Sequence, residues 1–402
     1  VSPRVLILSA SVGSGHNRAA EAIELAMLDR LPNALIERID VLELANPFFR
    51  RIYSDGYFRL IAKAPHLIGY LYDRLDQPLT TWQRPLDQAR FGLQSLSLRR
   101  FLNKLASDSW DIAICTHFLP AEIVAAMRRA GRMDCPLAIV TTDFDTHRLW
   151  HSRPCELFFT ATAEGKANLT RWGVAPDQIS VTGIPVHPTF GQRRGQQVSR
   201  RELGLDLHRP VVLQLSGGVG IGPIEQIHRQ LLNVSTPIQI VAITGRNQQI
   251  LKTLETIDCP RHHDRRVIGF TKQIDTFMAA ADLIVTKPGG LTASESLCRG
   301  LPMMIVDPIP GQETRNSDFL LENGAAVKIN GLATLRLKIE SLLADANRLR
   351  QMSAAATRLA KPEAAHAVVD RCLSMIRPKR PTRFRDLTAP APTFRRGQPA
   401  YL

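Results

Sequence analysis

No stretch of about 18 consecutive apolar residues occurs in the 402-residue chain, so the sequence offers no helix of the length and apolarity needed to cross a bilayer. The chain opens on a strand-like run, without a basic and then apolar leader, and we expect a cytoplasmic protein without a signal peptide. Cysteine is sparse. Cys115, Cys135, Cys155, Cys259, Cys298 and Cys372 never approach as Cys-x-x-Cys, which argues against a zinc site or a disulfide framework and for reduced, buried thiols. Acidic residues are in deficit, 37 against 51 Lys and Arg, and the net charge of +14 calls for an anionic partner. No RNA- or DNA-binding motif accompanies that charge, so nucleic acid is not expected, and a nucleotide or an acidic membrane face is. Two phosphate-binding signatures are missing as well. After Val5–Leu8 the chain reads SASVGSGHNRAAEAI, with Arg18 where a dinucleotide fingerprint needs its third glycine, and without the Gly-Lys-Ser/Thr of a P-loop.

What is present is an α/β alternation. Apolar runs at 4–9, 35–42, 111–115, 137–142 and 157–161 are separated by helical periodicity, and the pattern restarts at 211–216, 238–244, 283–286 and 303–306. Between the two series, 188–203 is polar and basic. We therefore expect two Rossmann-like domains, 1–190 and 191–362, with a ligand cleft between them. Residues 377–402 carry seven Lys or Arg against one Asp, and five prolines. Such a tail is expected to be disordered, either merely solvated or in electrostatic contact with a membrane or a polyanion.

Several turns carry chemistry. His16 follows the first strand, at the end where open α/β sheets bind ligands. Residues 211–227 run strand, Gly217, Gly218, Gly220, Gly222, helix, which suits either a plain connection or the approach of an anion to backbone amides. At 287–295, Lys287, Gly289, Gly290 and Thr292 stand at a strand end and helix start, where amides, a hydroxyl and the helix dipole converge on one anion. Glu295, in that helix, can complement the dipole or accept hydrogen bonds from the diol of a ribose. Gln312 and Glu313 follow at the next strand end, in a polar loop suited to sugar hydroxyls. Readers of phosphate, ribose and hexose in that order imply a nucleotide sugar.

The motifs SVGSGHNRAAEAI, TTDFDTHRLW (141–150), VTGIPVHPTF (181–190), SGGVGIGPIE, TGRN (244–247), GF (269–270), KPGGLTASES and PGQETRN span roughly residues 4–375. In these the chain resembles the GT-B glycosyltransferases that include plastid monogalactosyldiacylglycerol synthases and bacterial processive diacylglycerol glucosyltransferases. More distantly it is similar to the peptidoglycan N-acetylglucosaminyltransferase that makes lipid II. The resemblance implies an acceptor domain, a UDP-sugar domain, and a last helix, 363–376, crossing back to the first domain. It implies that Gly289, Gly290 and Thr292 hold the diphosphate, Glu295 the ribose, Gln312, Glu313 and Asn316 the sugar, with Phe270 by the uracil. Gly218, Gly220, Arg246, Asn247 and Lys287 join the donor set, and Gly15-His16 matches the family's glycine-histidine turn. The first loop, Ser-Val-Gly-Ser-Gly, has fewer glycines than is usual there, and the basic tail lies outside the shared region.

The expected reaction is displacement at the anomeric carbon of UDP-glucose or UDP-galactose by the hydroxyl of diacylglycerol or a glycosyl-diacylglycerol, with inversion. An alcohol needs a base near neutral pH, and imidazole supplies one. His16 is the first candidate, with Asp143 and His147 as the second cluster. Asp143-Phe144-Asp145 resembles a metal pair, but between Thr141-Thr142 and His147 it is read as ordering the cleft; no metal or cofactor is expected. Eight aromatics (Phe48, Phe49, Tyr53, Tyr57, Phe58, Tyr70, Tyr72, Trp82) fall within 35 residues, interleaved with Arg50, Arg51, Arg59 and Lys63. That composition suits an interface with anionic membrane lipids, on the inner face of the cell membrane, or aromatic helices packed under a domain. A nucleotide-sugar-binding regulatory protein without turnover and a UDP-sugar epimerase are the rival functions.

Overall fold

The computed structural model describes residues 2–56, 64–76, 97–218, 220 and 222–376. Tyr57, Phe58, Arg59, Lys63 and Trp82, and the basic tail, lie outside the described residues. Two six-stranded sheets form the frame. The first has the order β2 (Leu35–Asp40), β1 (Arg4–Ser9), β3 (Ile112–Cys115), β4 (Leu137–Val140), β5 (Leu157–Thr160), β6 (Ile179–Val181). The second runs β12 (Ala326–Ile329), β11 (Met303–Val306), β10 (Leu283–Thr286), β7 (Val211–Leu215), β8 (Gln239–Ile243), β9 (Asp264–Ile268). Every pairing is parallel. Helices cover both faces of each sheet, which is why central strands such as Ile112–Cys115 and Met303–Val306 are buried at every residue and read as unbroken apolar runs.

The strand orders decide where ligands go. In each sheet the order reverses once, between β1 and β3 in the first and between β7 and β10 in the second, and at such a reversal neighbouring loops diverge and leave a crevice at the carboxyl ends. The turn after β1 carries Gly15-His16, that after β3 carries Thr116, and those after β7 and β10 carry Gly217-Gly218 and Lys287–Gly290. Three strands that hydrophobic pattern alone does not reveal, β6, β9 and β12, are all sheet edges. An edge strand has one covered side and tolerates charge, as in Asp264-Arg265-Arg266 of β9.

The domains are not independent in packing. The helix Ala364–Leu373 leaves the second domain and buries Ala365, Val368, Val369 and Cys372 in one cluster with Val5, Ile7, Ile23 and Met27 of the first. Arg30 holds it with a hydrogen bond of 2.8 Å to Asp370. Phe144, Ala161, Ile184, Val186 and Phe190 pack in one cluster with Leu213, Ile243 and Ile284 of the second sheet, so the two domains share a core across the connection. Among the described residues no helix is long and apolar enough to cross a membrane.

Candidate functional site

His16 lies in the first turn of the helix Gly15–Arg30, at the β1/β3 reversal. Its Nδ1 is 3.0 Å from the carbonyl oxygen of Thr116 and 2.9 Å from Thr142 Oγ1. A carbonyl only accepts, so Nδ1 carries the proton and donates, and Nε2 of the neutral ring keeps its lone pair. The Thr116 hydroxyl in turn donates to the His16 carbonyl at 3.0 Å, locking the turn. Burial pushes the His16 pKa down to about 4, against the opposing pull of the Thr116 hydrogen bond and of Asp40. The ring is therefore neutral at ordinary pH, with the lone pair on Nε2, and burial makes it a weaker base than a free imidazole.

His147 differs. Its Nε2–H donates to the Tyr72 carbonyl at 2.8 Å and its Nδ1 accepts from the Leu149 amide at 3.1 Å, so both nitrogens are engaged in structure. Burial lowers its pKa as well. Asp143 is buried, accepts from Asn316 Nδ2 at 3.0 Å, and has a pKa raised to about 6, mainly by desolvation. The Asn316 oxygen accepts from the Phe144 amide at 2.8 Å, so this side chain ties the helix Gln312–Glu322 to the first domain. Asp145 faces the other way, 2.6 Å from Arg315 and accepting from Asn168 at 3.1 Å.

Arg315, which the sequence pattern did not single out, bonds Asp145, Asp76 at 3.0 Å and Asp73 at 3.0 Å, and its guanidinium lies 5.1 Å from the Tyr72 ring centre. It thus joins the second domain to the helix Pro65–Leu75 of the first. Gly311 has φ +95, and a Cβ there would meet the Tyr72 ring at 2.8 Å; the glycine permits both the turn and the contact.

In the second domain, Gly289 and Gly290 open the buried helix Gly290–Cys298, whose start has no side-chain cap. Glu313 sits beside them, its oxygen 3.8 Å from where a Gly289 Cβ would stand; it accepts from the Ile309 amide at 2.7 Å, and burial raises its pKa to about 7. Glu295 is 1% exposed, with its pKa raised to about 7 by burial, and neither carboxylate oxygen receives an aligned hydrogen bond. Arg18 Nη2 approaches one of them at 2.6 Å, close but off the line of a hydrogen bond, which makes the pair Coulombic. Lys287 pairs with Asp307 at 3.2 Å, and Asp307 adopts φ +43, a conformation a non-glycine residue rarely takes. Gln312 and Thr292 are half-buried at their helix starts. Phe270 is 61% exposed with Arg246 over its ring at 5.6 Å, an open platform for a planar base. The Asn247 oxygen caps the following helix at Ile250 and its amide donates to the Gly220 carbonyl at 2.9 Å, so it shapes the glycine turn. The two halves close on each other here. A Cβ on Gly290 would lie 2.0 Å from the Thr142 carbonyl oxygen, and one on Gly218 2.4 Å from Ser14 Oγ.

On the outer surface Phe48 is 75% exposed beside Arg50, with Ile52, Leu67, Tyr70 and Leu75 also exposed. Phe49 turns inward and stacks on Tyr53 at 5.4 Å, so it belongs to the packing and not to an outer patch.

Two family models match the chain. Residues 16–186 fit the family model for monogalactosyldiacylglycerol (MGDG) synthase, and residues 223–368 that for the glycosyltransferase family 28 C-terminal domain. A processive diacylglycerol beta-glucosyltransferase of Bacillus cereus (strain AH187) is 28% identical over 93% of this chain and 94% of its own. Among solved structures, MurG of Acinetobacter baumannii superposes with TM-score 0.60 at 18% identity, covering 92% of this chain and 99% of that one. Anabaena Alr3699/HepE in complex with UDP-glucose superposes with TM-score 0.54 at 14% identity over 92% and 99%. With both matched segments and the full-length relatives in agreement, the chain belongs to the GT-B glycosyltransferases of the monogalactosyldiacylglycerol synthase and processive diacylglycerol glucosyltransferase family.

Proposed function

We propose that the protein is an inverting glycosyltransferase that moves a hexose, glucose or galactose, from its UDP derivative to the hydroxyl of diacylglycerol or a glycosyl-diacylglycerol. The single observation that carries the mechanism is the Thr116 carbonyl on His16 Nδ1, which leaves Nε2 of the neutral ring as the acceptor of a proton. The lipid hydroxyl gives its proton to Nε2 as its oxygen bonds to the anomeric carbon, and the bond from that carbon to the diphosphate breaks, with the electron pair leaving on UDP. Attack from the face opposite the leaving group inverts the centre. The amides of Gly289 and Gly290 and the dipole of their helix stabilise the departing charge, so the chemistry calls for no metal. Glu295 reads the ribose, Phe270 and Arg246 receive the uracil, and Gln312 and Glu313 the sugar hydroxyls; His147, Asn316 and Asn247 position.

A diacylglycerol does not leave the bilayer readily, since each exposed CH₂ costs about 0.8 kcal/mol. The enzyme therefore docks peripherally, on the cytoplasmic face, through Phe48, Ile52, Leu67 and Tyr70, with Arg50 and Arg51 beside anionic headgroups. The test is incubation of the full chain with radiolabelled UDP-glucose or UDP-galactose and vesicles containing diacylglycerol, followed by lipid extraction. Label in the lipid phase with inverted anomeric configuration is expected. An interconverted UDP-sugar with unlabelled lipid would make the protein an epimerase, and UDP-sugar binding without any turnover would make it a regulator.

A further inference from the structure

Arg18 comes from the acceptor domain, one turn beyond Gly15, and yet it ends on Glu295, inside the helix that opens the donor site. Its side chain remains 37% exposed while the carboxylate it meets is sealed. The contact is short but misaligned, and both oxygens of Glu295 are left without a hydrogen-bond donor. A carboxylate buried in that state is poised to change partners, because two hydroxyls of a diol would satisfy it where the guanidinium does not. Other cations near the donor site are differently placed: Lys287 lies on Asp307, Arg315 on three carboxylates, and Arg246 over Phe270.

We propose that Arg18 is a substrate-contacting residue that binds the diphosphate of the donor. When the nucleotide sugar enters, its ribose hydroxyls donate to Glu295 and the guanidinium passes from the carboxylate to the phosphate oxygens at the start of the same helix. As the glycosidic bond to the phosphate breaks, the electron pair settles on the leaving oxygen, and the fixed charge of Arg18 meets it. His16 and Arg18 share one helical turn, so the residue that takes the acceptor's proton and the residue that steadies the leaving group reach the donor together, only when the two domains are closed. This assignment rests on the nucleotide-sugar reading of the site.

Isothermal calorimetry with uridine, UMP and UDP on the full chain, as wild type, R18M and R18K, tests it. R18M should weaken UDP by roughly 10–100-fold, the scale of one lost charge-assisted hydrogen-bond pair, and R18K should recover part of that. Uridine should bind R18M as well as or better than wild type, since the competitor for Glu295 is gone. With saturating donor, R18M should turn over roughly 10²-fold more slowly. If R18M changes uridine and UDP by the same factor, Arg18 acts on Glu295 alone and the proposal falls. Unchanged UDP affinity in a folded R18M overturns it too, with R18Q as the second variant should R18M melt early. Wild type that binds no UDP would overturn the nucleotide-sugar reading and this inference together, whereas UDP binding indifferent to residue 18 would overturn this inference only.

Discussion

The imidazole of His16 meets that of His117 edge to face, ring centres 4.6 Å apart, and burial holds both pKa values down. A proton on either ring would place a cation against its neighbour, so the pair favours the uncharged state that a base requires. At saturating donor, turnover should stay flat from pH 8 down to about 5 and fall only as pH approaches the value near 4, because the active form is the deprotonated one. A fall centred near the ordinary 6.5 would mean the base titrates in an open environment.

Replacing His16 by Ala should lower turnover by roughly 10²–10⁴-fold while leaving UDP affinity near wild type, since no contact from this side chain to the donor helix is required. Single-turnover assays alongside calorimetry separate the two quantities. A parallel loss of UDP binding would place His16 in the donor site.

UDP affinity should itself depend on pH through Glu295, whose folded pKa is raised to about 7. The ionised carboxylate is the stronger acceptor for ribose hydroxyls, so affinity should be full above pH 8 and decline as pH falls through 7. Titrations at pH 6, 7 and 8 should lose that slope in Glu295→Gln.

Arg315→Met should destabilise the protein by about 1–3 kcal/mol, less than for a fully buried pair because the guanidinium is partly exposed. The loss leaves Asp145, Asp76 and Asp73 facing one another without a cation. Arg315→Lys should restore only part, since an ammonium cannot span three carboxylates as a planar fork does. Urea unfolding measures the difference; equal stability of all three forms would make the interdomain bonds inconsequential.

Phe48→Ser should weaken sedimentation with phosphatidylglycerol vesicles about tenfold, from the burial free energy of one aromatic ring, without moving the melting temperature. Phe49→Ser should do the reverse, because that ring is packed on Tyr53. Binding should fall with added salt.

The sheet cores and the glycine turns were legible because continuous apolar strands ending in glycine admit few other folds. The edge strands β6, β9 and β12 were not: β9 is held by one neighbour and carries charge that a central strand could not. Phe48 and Phe49 have the same chemistry in sequence and opposite orientations in space, which only the helix Pro47–Arg51 settles. Arg18 registered only as a residue out of place for a fingerprint, and Arg315 only as a letter within a motif. Both act across the cleft, on partners hundreds of residues away, and local pattern holds no trace of that.

The helix Ala364–Leu373 gives the protein an awkward birth. On the ribosome the first sheet emerges before any of the second, yet part of one apolar face, beside Ile23 and Met27 of the first helix, waits for Val368, Val369 and Cys372, which are made last. The nascent N-terminal half must carry an uncovered surface through the synthesis of an entire second domain. Whatever truncates the chain before residue 364 therefore damages not the domain that was cut but the one completed first in sequence, and a premature stop there should yield aggregates with their greasy side in the N-terminal sheet.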